Sequence, residues 1–231
     1  MAKIKLQAWL SDVRGKQNGS VFSKNRFANY IRTKTTPINR DTSYQQGVRF
    51  NFATLSSGWR SLSAANQNAW RAVVDQFKRI NSLADSIQLT GAQLYISLNR
   101  NLKNIDIATI STAPALTSVV QLTTLSMVAE TTTNTIENTF TGDVYASQSY
   151  EIKATAPYSA GKTFVKNQYR RIGKQFTGDA SPFDITAMYE AKFGTGWRTS
   201  NGMQISVQLT PIIKASGQAG IPQSATDVIA A

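Results

Sequence analysis

The chain has 231 residues, of which 25 are Lys or Arg, 13 are Asp or Glu and none is His, so its net charge is +12. It contains no Cys, which excludes disulfides, thiol chemistry and Cys ligands for a metal. The lack of His removes the usual general base near neutral pH and the commonest metal ligand. We therefore expect a protein that is not an enzyme and that uses no cofactor or metal.

The positive charge is concentrated at the N-terminal end. Residues 1–50 hold ten Lys or Arg and two Asp, whereas residues 111–231 hold nine basic and eight acidic residues. This asymmetry favours a basic segment that meets an acidic partner, joined to a near-neutral folded domain. The chain has no apolar run of the ~20 residues that a bilayer-spanning helix needs, so we expect no membrane partner.

In chain order, residues 1–40 are predicted to form a basic extended arm or hairpin. A turn is expected from Gly15 to Gly19. Basic and bulky residues then alternate until Pro37, which stops any helix. A short strand is indicated by apolar residues at every second position, namely Ile4, Leu6, Ala8 and Leu10.

Residues 41–104 are predicted to form a small helical unit. Asp41 and Ser63 are expected to cap the first two helices, and a third helix is expected after Thr90. Each helix carries apolar residues at helical spacing. These are Val48, Phe52, Leu55 and Trp59 in the first helix, Trp70, Val73, Val74 and Phe77 in the second, and Leu94, Tyr95, Leu98 and Leu102 in the third. Trp59 and Trp70 are expected to pack in the core of a helical hairpin.

Residues 105–231 are predicted to form a β-sandwich domain of immunoglobulin or fibronectin III type, with one short helix. Short segments of alternating hydrophobicity, separated by glycines, are typical of such domains. The clearest strand contains Met203, Ile205, Val207 and Leu209. Asp184 is expected to cap the start of this helix, and Gly194 is expected to end it. The predicted fold class is therefore α+β.

The segment from Ala156 to Thr163 loosely fits a phosphate-binding loop, with Ala in place of the first Gly. Pro157 removes one of the backbone amides that would contact the phosphates. Too few residues follow Thr163 to complete a parallel nucleotide-binding sheet. We therefore interpret the segment as a β-turn.

The best candidate for a binding segment runs from Lys24 to Arg49, where basic residues alternate with aromatic ones. Basic groups neutralise phosphates or pair with acidic protein surface, and aromatic rings stack on bases or fill a protein groove. Three alternatives stay open: contact with nucleic acid, contact with neighbouring subunits, and a solvated arm whose aromatic residues pack on the helical unit. The predicted contact residues are Lys24, Arg26, Phe27, Tyr30, Arg32, Lys34, Arg40 and Arg49.

The same region has an ordered set of short motifs: Lys24-Asn25-Arg26, then Pro37-Ile38-Asn39, then Trp59-Arg60-Ser61-Leu62-Ser63. This order of basic arm, Pro-x-Asn turn and Trp-Arg-x-Leu-Ser turn between two helices resembles uncharacterised virion structural proteins of tailed bacteriophages, notably phages of Bacteroidota. Arg40 departs from that pattern, which has a second Pro at this position. The resemblance covers the rest of the chain only loosely.

The resemblance implies a structural component of a bacteriophage particle, located in the virion and made in the host cytoplasm. It implies many copies that contact other virion proteins, either capsid subunits or portal and tail subunits, and packaged DNA is a further expected partner. We expect a capsid-associated protein that assembles through its basic N-terminal arm. The alternatives are a nucleic-acid-binding module, a tail or neck protein, and a receptor-binding protein whose aromatic platform would be Trp197.

Overall fold

The computed structural model describes residues 2–4, 13–35, 41–81, 83–141, 147–175 and 181–230. The chain divides into two compact units, Met1–Leu94 and Tyr95–Ala231, which are described separately. The sequence instead predicts boundaries near residues 40 and 104. Helices and antiparallel sheets occur in both units, so the predicted α+β class is confirmed.

The N-terminal residues form a small antiparallel sheet. Its strands are β1 (Ala2–Ile4), β2 (Gly15–Gln17), β3 (Ser20–Lys24) and β4 (Asn29–Thr33), in the order β1-β4-β3-β2. Residues 13–35 are thus hairpins, and the extended alternative is wrong for them. The predicted strand from Ile4 to Leu10 lies mostly outside the described residues.

Two tight turns explain why this basic segment is not extended. Asn18 and Gly19 connect β2 to β3, and Asn18 takes a φ of +50°, which Asn tolerates better than most residues. The Asn25 side-chain oxygen accepts the backbone N–H groups of Phe27 and Ala28 at 3.0 and 2.9 Å. Both turns bring the strands into register, so that the backbone hydrogen bonds are made within the segment.

The helical part of the first unit contains α1 (Ser43–Ser61), α2 (Ala64–Ala72) and a 3₁₀ turn at Val74–Phe77. A short hairpin of β5 (Arg79–Ile80) and β6 (Ser86–Ile87) precedes α3 (Gly91–Asn104), and the boundary between the two units falls within this helix.

Two predicted features of these helices need correction. Thr42 caps α1 rather than Asp41, because its hydroxyl accepts the Gln45 N–H while the Gln45 side chain accepts the Thr42 N–H. The predicted second helix does not continue to Phe77. It ends where Val73 and Val74 follow each other, and β-branched residues are poorly suited to a helix. The prediction that Ser63 caps α2 is confirmed.

The two helical tryptophans differ in burial. Trp70 is 0% exposed and is the largest side chain in the core of the first unit. Trp59 is only half-buried, and the Arg71 guanidinium lies 6.0 Å from its ring centre, at the limit of a cation–π contact. The predicted core position is therefore confirmed for Trp70 and is partial for Trp59.

The second unit contains two antiparallel sheets. The four-stranded sheet has the order β10-β9-β12-β13 and the three-stranded sheet the order β11-β8-β7. The strands are β7 (Thr124–Glu130), β8 (Thr135–Thr141), β9 (Gln148–Ala154), β10 (Arg170–Gln175), β11 (Phe183–Asp184), β12 (Gln204–Ile213) and β13 (Gln223–Val228). The clearest strand expected from the sequence corresponds to β12, although Met203 lies just before it.

Helix α4 (Thr186–Phe193) and a 3₁₀ turn at Thr195–Thr199 complete this unit. Ile185 occupies the capping position rather than Asp184, whose carboxylate accepts the Thr186 N–H at 2.8 Å. Gly194 ends the helix with a φ of +78°, as predicted. Both sheets and α4 bury one shared core, which includes Ile136, Ile152, Tyr189, Trp197 and Leu209.

The long connection formed by residues 105–123 contains no helix or strand, yet it is bonded to its surroundings within the second unit. The Asn99 side chain accepts the Ile110 N–H at 2.7 Å and donates to the Ile110 carbonyl at 3.2 Å. The Gln218 side chain donates to the Ala115 carbonyl and accepts the Thr117 N–H. These side chains satisfy backbone groups that no regular element pairs.

Candidate functional site

The strand register sorts the residues of the N-terminal sheet onto two faces. Directly paired residues of an antiparallel sheet share a face. Lys16, Val21 and Arg32 therefore form one row across β2, β3 and β4, and Ser23 and Tyr30 form the next row on the same side. We call Lys16, Tyr30 and Arg32 the basic face.

The opposite side of this sheet is more apolar. Phe22 and Ile31 are paired in register there, and both are half-buried. Lys24 belongs to the same side, at the end of β3, and is exposed. The alternation of basic and bulky residues seen in the sequence thus separates into a cationic face and an apolar face, with Lys24 as the exception.

The structure brings together only two of the predicted contact residues, Tyr30 and Arg32. Arg26 and Phe27 lie in the turn between β3 and β4. Lys34 follows β4, and its backbone N–H donates to the Gly19 carbonyl at 2.7 Å.

Of the remaining two predicted residues, only Arg49 is described, and it is separate from the basic face. Arg40 lies outside the described residues. Arg49 belongs to α1, where its guanidinium pairs with the Asp41 carboxylate at 3.4 Å between two largely exposed side chains. Such an exposed pair contributes little to stability, so this Arg49–Asp41 contact is a weak constraint on either residue.

Helix α1 presents a second surface, which the sequence did not predict as exposed. Tyr44, Val48 and Phe52 recur every four residues and so lie along one side of the helix. They are 71%, 47% and 60% exposed. We call these three residues the apolar stripe.

The helical spacing of Val48 and Phe52 marks an apolar side of α1, and the position of α2 explains why these two residues are exposed. Helix α2 starts three residues after α1 ends, and the Gln67 side chain donates to the Trp59 carbonyl at 3.1 Å. The packing partner thus adjoins the C-terminal end of α1, where Leu55 is buried. Periodicity marks an apolar side of a helix but does not show how much of that side is covered.

Both surfaces belong to a strongly positive unit. Residues 1–94 contain fourteen Lys or Arg and four Asp, so they carry +10 of the total charge of +12. Helix α1 itself has two Arg and no acidic residue. A partner of these surfaces is therefore expected to be acidic.

Two other kinds of site find no support in the part of the chain that the structure describes. No group of three or more acidic side chains is placed to hold a metal ion there, and none of the described helices is long and apolar enough to span a membrane. Trp197 is 1% exposed and donates its indole N–H to Glu190 at 3.0 Å, so it cannot be the surface platform suggested for receptor binding.

The basic face and the apolar stripe are thus the candidate contact surfaces of the first unit. Sequence reasoning missed Lys16, because its position beside Arg32 depends on strand register. It also did not identify the apolar stripe as an exposed surface. Comparison of the chain with models of known protein families, with curated proteins and with solved structures finds no match.

Proposed function

We propose that the chain is a structural, capsid-associated component of a bacteriophage particle, which assembles with other virion proteins through its basic N-terminal unit. The observation that carries the proposal is the apolar stripe on a unit of net charge +10. Large apolar side chains exposed together are typical of protein–protein contact surfaces. The resemblance of Lys24 to Trp70 to tailed-phage virion proteins supports placing that contact in a particle.

The apolar stripe favours a protein partner over a nucleic acid. Burial of a Tyr, Val or Phe side chain contributes about 1.5–3 kcal/mol each, whereas a phosphate backbone offers no apolar surface to the stripe. The surrounding positive charge would orient an acidic partner and speed its association. The proposed partner surface is thus an apolar groove with acidic residues at its rim.

The finer architecture proposed for the second unit is a β-sandwich of immunoglobulin or fibronectin III type. Its support is that a four-stranded and a three-stranded antiparallel sheet share one core, as the two layers of such a domain do. An experimental structure tests this, since a single closed barrel would contradict it. The bridge from Glu130 to Ala230 joins the two sheets at one edge, so the strand pairing at this edge distinguishes a sandwich from a closed barrel.

The decisive experiment measures incorporation into particles. Mass spectrometry of purified particles should detect the wild-type chain, and a Phe52→Glu variant should be depleted, because a charge replaces one of the three apolar side chains of the contact. Phe164→Glu is the matched control, since Phe164 is 66% exposed in the other unit. Absence of the wild-type chain from particles, or equal incorporation of both variants, contradicts the proposal.

A nucleic-acid-binding module is the second candidate, because the basic face has the composition of a phosphate-contacting surface. Lys16 and Arg32 are two strands apart, which corresponds to about 9.5 Å, and Tyr30 lies next to Arg32 in position to stack on a base. Arg32 and Tyr30 are on the same strand, so their spacing is set by the backbone.

Fluorescence anisotropy with single- and double-stranded DNA separates this candidate from the first. The logarithm of the binding constant should fall with the logarithm of salt concentration by about 0.9 for each phosphate contacted in duplex DNA. Replacing Lys16 and Arg32 by Ala should reduce that slope by about 2. Replacing Lys166 and Lys192, two exposed cations of the second unit, should leave it unchanged. A chain that does not bind DNA at low salt excludes the candidate.

A further inference from the structure

The second unit contains an open cleft that the proposed assembly surfaces do not use. Its volume is about 570 Å³, within the range of small-ligand sites. The loop from Ala156 to Gln168, the first residue of β10 and the last residue of α4 form its walls. The loop contains the segment that loosely fits a phosphate-binding loop.

The cleft is cationic. Lys162 and Arg170 both line it, and none of the residues that line it is acidic. The Arg170 guanidinium is held at the rim, because its Nη1 donates to the carbonyls of Asn167 and Tyr169 at 2.9 and 3.0 Å. In the part of the chain that the structure describes, these two bonds use Nη1, and a guanidinium binds a carboxylate through a pair of N–H groups such as Nε and Nη2.

The other walls combine polar and apolar groups. Ser159 and Gln168 contribute a hydroxyl and an amide, while Pro157 and Phe193 contribute apolar surface. A few convergent polar groups on an apolar lining are typical of a ligand site. A ligand matching this cleft has an anionic group, several hydroxyls and an apolar C–H surface, which is the chemistry of an acidic sugar.

The walls of the cleft are held in place before any ligand binds. Tyr158 exchanges both backbone hydrogen bonds with Gln204, at 2.9 and 2.8 Å, and its hydroxyl contacts that of Ser206 at 2.5 Å. The ring of Phe193 packs on that of Tyr189, with 4.9 Å between the ring centres. A loop anchored in this way to a neighbouring strand loses less entropy on binding than a loop without such bonds.

The local backbone argues against a nucleotide in this cleft. The loop joins β9 to β10, so no helix start points its N–H groups at a phosphate, as in a phosphate-binding loop. Pro157 has no N–H, and the Lys162 N–H is used by the Ser159 carbonyl in a turn. The expectation of a turn in this segment is confirmed.

We infer that this cleft binds the carboxylate of an acidic sugar unit, such as a uronic acid of a polysaccharide. The inference does not rest on the proposed assembly role, since no residue of the first unit takes part. The carboxylate lies between Lys162 and Arg170, the hydroxyls bond to Ser159 and Gln168, and the sugar C–H surface covers Phe193.

The test titrates the full chain with a short oligogalacturonic acid, followed by saturation-transfer NMR and calorimetry. The methyl ester of the same oligosaccharide is the matched ligand, because it keeps the sugar rings and hydroxyls and replaces each charged carboxylate by an uncharged ester. The acid should bind and the ester should bind about tenfold more weakly or worse. Equal binding of acid and ester, no binding of the acid at millimolar concentration, or tighter binding of inorganic phosphate overturns the inference.

Two variants locate the binding. Lys162→Glu reverses a charge on an exposed turn and should weaken binding of the acid by about tenfold or more. Lys166→Glu makes the same change four residues away, outside the cleft lining, and should leave binding unchanged. Equal binding of the acid by the two variants overturns the site assignment. Arg170 is not substituted, because loss of its side chain would also remove two hydrogen bonds that hold the loop.

Discussion

Replacing Gly217 by Ala should destabilise the second unit strongly, because this glycine lies directly against α3. Its φ is +71°, and an added Cβ would lie 2.8 Å from the Leu98 carbonyl carbon, 3.1 Å from Leu102 Cγ and closer still to the Leu98 carbonyl oxygen. Carbon atoms in contact are normally about 3.5–4.0 Å apart. The obstacle is backbone, so the helix or the turn must move by roughly 1 Å.

The expected loss of unfolding free energy has two parts. A non-glycine residue in the left-handed region costs about 1–2 kcal/mol. Forcing extra volume into a packed site costs about 1–3 kcal/mol. Together they give about 2–5 kcal/mol, a large part of the about 5–15 kcal/mol that keeps a domain folded. Movement of the turn would also strain the bond from the Asn101 amide to the Gly217 carbonyl, now 2.9 Å.

Gly202→Ala separates the two parts. Gly202 has a similar φ of +78°, and in the part of the chain that is described no heavy atom lies within 4 Å of an added Cβ. The Gly202→Ala variant should therefore lose only the unfolding free energy that the left-handed backbone conformation costs, about 1–2 kcal/mol. The difference between the two variants, about 1–3 kcal/mol, measures the close approach of α3.

The measurement is urea unfolding of the full chain, followed by pulsed hydrogen exchange and mass spectrometry of peptides from β9 and β12. These peptides report on the second unit alone, so unfolding of the first unit does not enter the value. Equal midpoints and slopes for the Gly217 and Gly202 variants would show that α3 does not lie against this turn, and the reasoning would be wrong.

Three further changes test other contacts. The Arg198 guanidinium, bonded to Glu190 at 2.7 Å, lowers the pKa of that carboxyl below its usual 4.5. The stability from this contact is present above the unfolded pKa and is lost as pH falls through the folded one, so unfolding measured from about pH 6 to about pH 3 should be less pH-dependent in Glu190→Gln. Trp70→Ala should cost about 3–5 kcal/mol in the first unit, by denaturation monitored on α2 peptides, because its ring is fully buried. Gly173→Ala would clash with the Met188 sulfur, and a double-mutant cycle with Met188→Ala should recover most of the loss.

Local features of this fold were predictable from the sequence. Ser63 caps α2 because its side chain accepts a backbone N–H group from the first turn of the same helix, which is a local contact. The apolar spacing in α3 correctly marked Leu94, Tyr95, Leu98 and Leu102, which are all buried. The prediction for α1 missed its cap by one residue, since Asp41 and Thr42 are both good capping residues and only geometry decides between them.

The candidate contact surfaces depended more on the position of other elements. Lys16 and Arg32 are sixteen residues apart in sequence and become neighbours only through the register of β2, β3 and β4. A shift of that register by one residue would move Arg32 to the other face. Periodicity likewise could not distinguish the covered end of α1 at Leu55 from the exposed end at Tyr44.

Under the proposed assembly role, the energies of the two contact surfaces favour many copies. The three side chains of the apolar stripe supply at most about 3 kcal/mol each on burial, because each is already partly covered, while association costs about 4–15 kcal/mol in lost motion. The charges of the basic face add little, because exposed ion pairs contribute little energy and their longer-range attraction is screened by salt. A single contact through the first unit is therefore weak. Repetition of that contact on a particle raises the effective concentration and offsets the cost, so the isolated chain should bind one partner subunit weakly and the assembled particle tightly.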